Sequence, residues 1–118
     1  MEYSIERTEP GVAIIRLKGR IIGEYQLVNI RDEVEELVET DCIHLIFDLS
    51  ELEFMNSSGL SFFLKVLTLV RGKDGEVVLV ALNRLLDDLM VTTKLNSFFL
   101  IEPGIDDAME YLKQSGVI

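Results

Sequence analysis

A mixed, mostly parallel α/β fold with an N-terminal hairpin strand and about four helices follows from three features of this sequence. Short strand-like runs alternate with stretches of helical period from Tyr25 onward. Two of those runs, Ile43–Leu49 and Glu76–Leu82, are almost continuously apolar, as a strand covered on both faces requires. The links are short, and strand–helix alternation on short links implies right-handed crossovers between parallel strands.

Tyr3 to Arg7 alternates loosely, Pro10-Gly11 reads as a turn, and Val12 to Lys18 follows as a second strand. Two strands about a short turn form a hairpin. Gly19 and Gly23 bracket a link through Arg20, Ile21 and Ile22. From about Tyr25 to Glu39 the period changes: Leu27, Ile30, Val34, Leu37 and Val38 recur at three- and four-residue spacing, with acidic residues between them. That is an amphipathic helix with a solvated outer face.

Ile43–Leu49 is broken only by His44 and Asp48, and a short acidic link carrying Glu51 and Glu53 leads to Phe54 and Met55. The polar triplet Asn56-Ser57-Ser58 precedes a helix with Leu60, Phe63, Leu64, Leu67 and Val70 along one side, ending before Gly72. After the strand Glu76–Leu82, Asn83 caps a helix bearing Leu85, Leu86, Leu89 and Met90, whose pattern stops at Thr92. Phe98–Ile101 is a short strand. Pro103-Gly104 turns the chain into a last helix with Ile105, Ala108, Met109 and Leu112, and Ser115-Gly116 frays toward Ile118.

The totals narrow the function. A chain of 118 residues has room for one core. Twenty-one acidic against eleven basic residues give a net charge of -10, which disfavours docking on nucleic-acid phosphates or anionic lipid. No apolar run approaches the roughly 20 residues of a membrane span, and the N-terminus lacks the basic start and apolar stretch of a signal peptide, so a cytoplasmic location with no membrane partner is expected. One cysteine, Cys42, and one histidine, His44, supply neither a disulfide nor a zinc set. No metal and no cofactor are expected.

No residue set points to catalysis. His44 lies inside a strand run and is read as a satisfied or edge-exposed structural histidine rather than a triad member. Asn56-Ser57-Ser58-Gly59 has neither the Gly-x-Ser-x-Gly elbow nor a Walker loop. A prosthetic serine on an acidic carrier would suit an all-helical chain, which the strands exclude. Two readings of the serine pair remain. Ser57 or Ser58 caps the helix, with Asn56 supporting the turn. Alternatively, a serine hydroxyl at a helix start accepts a phosphate, which backbone N–H groups and the helix dipole stabilise.

On Asp48-Leu49-Ser50 followed by Phe54-Met55-Asn56-Ser57-Ser58-Gly59-Leu60, the chain resembles a STAS domain, most closely the stand-alone anti-sigma-factor antagonists of bacteria. Gly19, the run Val78 to Val80 and the pair Ala108-Met109 also match, so the resemblance implies a single STAS domain over residues 1–118. It further implies no enzymatic activity, a phosphoacceptor at Ser58, and a partner surface of Gly23, Glu24, Tyr25, Asn56, Ser57, Ser58 and Ser61. The implied partners are an anti-sigma factor that is itself a serine kinase, and a serine phosphatase that reverses the modification. The alternative within the same fold is an unphosphorylated scaffold or subunit of a signalling or transport complex, with Ser58 only a cap. The sequence departs from the family pattern at Ile22 and Asn56, where acidic residues are common, and at Lys94, where a helix-ending glycine is expected.

Overall fold

A computed structural model of the chain describes residues 1–116. Strands β1 (Glu2–Arg7), β2 (Val12–Ile21), β3 (His44–Met55), β4 (Glu76–Val80) and β5 (Leu100–Glu102) form one sheet in that order. β1 is antiparallel to β2, and the other pairs are parallel. Helices α1 (Val28–Glu39), α2 (Ser57–Arg71) and α3 (Arg84–Thr92) connect the parallel strands, and α4 (Ile105–Gln114) follows β5.

Strands laid down in chain order with right-handed crossovers must carry all their connecting helices on one face. The side chains divide accordingly. Ala13, Ile15, Leu17, Leu45, Phe47, Leu49, Val77 and Leu79 join the helices in the larger core. Val12, Ile14, Ile46, Val78 and Val80 meet Ala108 and Leu112 of α4 on the other face. Phe47 stands edge-on to Phe62 and Phe63, at centroid distances of 6.0 and 5.1 Å. Such pairs add about 0.5–1.5 kcal/mol to area burial and here fix the long axis of α2 on β3. At the sheet edge, the Tyr3 phenol donates to the Glu33 carboxylate of α1. That bond, chiefly, pushes the phenol's pKa up to about 12.

The element order matches the expectation, with local differences. Gly19 does not open a link. It sits at φ 104° inside β2, beside shifts in the β2–β3 register, so the left-handed residue makes a bulge and the strand runs on to Ile21. A 3-10 turn, Glu24–Leu27, precedes α1. β3 absorbs the acidic link. It pairs with β4 only from His44 to Asp48, and beyond that Lys18 pairs with Glu51 and Leu52 with Gly19 on the β2 side. Glu51 and Glu53 are exposed there while Leu52 and Met55 remain buried. The last strand begins at Leu100 rather than Phe98, because Leu95–Ser97 form a 3-10 turn and the Phe98 carbonyl accepts from Arg71. Lys94 holds φ 61° at the place where a glycine was expected. The chain end at Val117 and Ile118, where fraying was expected, lies outside the described residues.

His44 lies within β3, but it is neither edge-exposed nor satisfied: it is 8% exposed, and its Nδ1 has no hydrogen-bond partner among the described residues. Burial pushes its pKa down, and the facing Glu76 carboxylate partly opposes this. The folded protein therefore holds fewer protons at this site than the unfolded chain as pH falls below the ordinary histidine value of about 6.5, so stability falls with pH through that window. Urea unfolding at pH 7 and pH 5 is expected to show a larger loss for the wild type than for His44→Leu. Equal losses would exclude His44 as the source.

Candidate functional site

The C-terminal ends of β2, β3 and β4 lie at one end of the sheet because the strands are parallel. Here β2 leaves through Ile22 and Gly23, and β3 passes directly into α2. The cap of α2 is Asn56, not Ser57 or Ser58. Its backbone is extended, and its Oδ1 accepts from the Ser58 N–H at 3.0 Å. Ser57 and Ser58 are the first two helical residues. The Gly59 and Leu60 N–H groups donate to the Asn56 carbonyl at 3.0 and 3.3 Å.

The other end of the Asn56 amide reaches across the chain. Nδ2 donates to the Ile22 carbonyl at 2.9 Å, and the Asn56 backbone N–H donates to the Ile21 carbonyl at 3.1 Å. Gln26 closes the link on itself, its Oε1 accepting from the N–H groups of Ile22 (2.7 Å) and Gly23 (3.2 Å), its Nε2 donating to the Arg20 carbonyl (3.0 Å). The first link is thus bonded to the start of α2, and the turn Glu24–Leu27 is in contact with that helix.

Of the residues named from sequence, Glu24, Tyr25 and Ser57 are exposed, while Gly23, Asn56, Ser58 and Ser61 are partly buried. Asn56, Ser57 and Ser58 are consecutive, and Ser61 follows one turn along α2. Gly23 carries the Tyr25 ring so closely that a Cβ there would lie 2.5 Å from Cε1. Ile22, singled out from sequence as a departure from the family pattern, borders these residues, and Arg20, not singled out, joins it. Ile22 is 53% exposed beside Asn56, next to Tyr25 at 73%, and the Arg20 guanidinium lies 5.2 Å from the centroid of Phe54. The apolar character of Ile22, where an acid is common in the pattern, was the available signal.

The first turn of α2 contains no acidic residue, so its N-terminal partial charge is uncompensated by its own side chains. Clefts of about 250 and 340 Å³ open elsewhere, one over β1–β3 and one by the β1–β2 turn, and neither is lined by Ser57 or Ser58. Among the described residues, no group of three or more His, Cys, Asp or Glu is placed to hold a metal ion, and no helix is long and apolar enough to cross a membrane. Cys42 is buried, which pushes its thiol pKa up against the opposing charge of Arg7.

The start of α2 is thus a partly exposed helix terminus, braced by a neighbouring link and separate from these clefts. The STAS domain family model matches residues 3–108, and the chain belongs to the STAS family of non-enzymatic regulatory domains, in its anti-sigma factor antagonist branch. The anti-sigma F factor antagonist of Paenibacillus polymyxa is 30% identical over 113 residues, covering 92% of this chain and 90% of the relative. An anti-sigma factor antagonist from Mycobacterium paratuberculosis has the same fold at a TM-score of 0.81 and 22% identity, over 95% of this chain and 93% of that one. So does the Bacillus cell fate determinant SpoIIAA, solved in its phosphorylated form, at 0.76 and 17%, over 94% and 99%.

Gly59 sets how closely α2 approaches β3. A Cβ there would fall 2.8 Å from the Met55 Cβ and 3.0 Å from its Sδ. Alanine favours a helix by about 1 kcal/mol, but overpacking costs about 1–3 kcal/mol, and the Met55 Cβ is fixed by its backbone. Gly59→Ala is expected to lower the urea midpoint, corresponding to a net loss of up to about 2 kcal/mol, despite the better helix former. A raised midpoint would show that Met55 repacks freely.

Proposed function

We propose that the protein, acting as one STAS domain in the cytoplasm, antagonises an anti-sigma factor that is also a serine kinase, and that phosphorylation of Ser58 switches this off. The observation that carries the reading is the position of Ser58. It is the second residue of α2, partly buried at a surface end of the fold, and the capping role is filled by Asn56. A constitutive scaffold with Ser58 serving only as a cap lacks that support.

The partner would meet Gly23, Glu24, Tyr25, Asn56, Ser57, Ser58 and Ser61, with Ile22 and Tyr25 offering exposed apolar surface of the kind that anchors interfaces. In the kinase step, the Ser58 Oγ attacks the γ-phosphorus of ATP. The new O–P bond replaces the bond to ADP, and the hydroxyl proton is released. The phosphoserine carries about -1.5 to -2 charges. At the start of α2 it is tolerated by the helix dipole, while it repels an interface built for a neutral hydroxyl. A serine phosphatase restores the hydroxyl by hydrolysis, returning the protein to its binding form. The Bacillus relative solved in phosphorylated form supports a modification cycle for this fold.

Pull-downs from native cells with wild type, Ser58→Ala and Ser58→Asp, read by mass spectrometry, test the proposal. The expected result is one phosphate on Ser58 of the wild type, a partner retained by Ser58→Ala, and at least tenfold less of it on Ser58→Asp. Ser58→Asp should keep the wild-type thermal midpoint, since an acid in the first turn suits the dipole. An unmodified Ser58 together with full binding by Ser58→Asp would end the switching model.

A further inference from the structure

The Asn56 side chain makes two bonds of opposite sense, which an amide supplies from its two ends and an ionised carboxylate cannot. Its oxygen accepts from the Ser58 N–H, and its nitrogen donates to the Ile22 carbonyl 34 residues away in sequence. We infer that Asn56 is a positioning residue, a two-ended clamp that holds the Ile22–Tyr25 link against the start of α2 and thereby sets the shape of the surface around Ser58. The functional consequence rests on the reading of this end as the partner surface; the clamp itself does not.

The chemistry of the two ends separates them. An ionised aspartate has acceptors only. At position 56 it keeps the cap on Ser58, and the positive end of α2 favours it, but it turns an oxygen toward the Ile22 carbonyl oxygen where a donor stood. Two acceptors at hydrogen-bond distance repel, so the link must move away or admit water. A protonated carboxyl regains one O–H donor while its other oxygen still accepts. The Ile22 and Gly23 N–H groups, which donate to Gln26, report on the link, and the Ser58 N–H reports on the cap. The charged groups nearest in sequence, Arg20, Glu24 and Glu53, are unchanged by the substitution. Because Ile22 and Tyr25 are the exposed apolar residues of the link, its displacement would move the apolar contact relative to the Ser58 hydroxyl without touching that hydroxyl.

Amide hydrogen exchange followed by NMR on the free, unphosphorylated protein decides this. With Asn56→Asp at pH 7, protection of Ile22 and Gly23 is expected to fall about tenfold while Ser58 keeps its own. Well below the ordinary aspartate value of about 4, where the new carboxyl protonates even against the helix terminus, protection at Ile22 and Gly23 should return to that of the wild type at the same pH. Asn56→Ser, whose hydroxyl caps the helix but is too short to reach Ile22, should loosen the link at both pH values. A general loss of packing would not be reversed by acid. Unchanged protection at Ile22 and Gly23 in both variants, or parallel loss at Ser58 that acid does not reverse, would overturn the clamp. Since neither kinase nor partner enters the experiment, its failure leaves the Ser58 switch standing, and failure of the switch leaves the clamp standing.

Discussion

The constraint on which the rest of the structure depends is burial of the central strands on both faces. Phe47 and Leu45 of β3 face the larger core while Ile46 faces the smaller, and Leu79 and Val78 of β4 repeat the division. Strands of this kind have no solvated face, so helices must cover both sides. Chain-ordered parallel strands put α1, α2 and α3 on one side, and the opposite side falls to α4. The burial of Phe47 against Phe62 and Phe63 then holds α2 where its first turn emerges at the C-terminal end of β3.

Parallel pairing also brings the strand ends together, and two asparagines exploit this. Asn56 and Asn83 each cap the helix that follows and each donate their side-chain nitrogen backward, Asn56 to Ile22 and Asn83 to Leu52 and Glu53. These bonds run from α3 to β3 and from α2 to the end of β2, stitching successive units together where the ladder has stopped. Beyond Asp48, β3 has no partner on the β4 side, and Asn83 supplies donors to two of its carbonyls there. An N-cap at these sites therefore orders a helix and a neighbouring strand end together.

The strands and helices were legible in the sequence because two-sided burial leaves an uninterrupted apolar run and one-sided burial leaves a helical period. What was not legible depended on partners far along the chain. Asn, Asp and Ser are nearly equal as caps, so the triplet Asn56-Ser57-Ser58 offered three candidates. The one chosen is the residue that also finds the Ile22 carbonyl, a tertiary fact. Gly19 reads as a break because glycine usually is one, yet pairing with β3 carries the strand through it as a bulge. Glu51 and Glu53 read as a loop because they are acidic, whereas the ladder to β2 needs only their backbone. The unsatisfied burial of His44 was not legible because nothing in a strand pattern tells whether a polar side chain will find a partner. For the candidate site, the family pattern pointed to Ser58 and to the neighbourhood of Gly23 to Tyr25, but neither the role of Gln26 nor the direction of the Asn56 amide was legible.

If Ser58 is the switch proposed above, a surface of this construction would suit switching by charge better than switching by shape. The start of α2 is pinned from below by the close approach of Gly59 to Met55, from the side by the Ile22 carbonyl, and along its length by Phe62 and Phe63. Each of these contacts involves backbone or buried atoms, and none uses a serine hydroxyl. A group added to Ser58 would therefore meet a scaffold with no contact to surrender. Its cost to the fold would be small, because the helix terminus offsets part of its charge. The larger cost would fall on a partner that must desolvate the new anion without a matching cation. A domain that keeps its fold through modification can return to the unmodified state without refolding, which is what a reversible cycle of kinase and phosphatase would require.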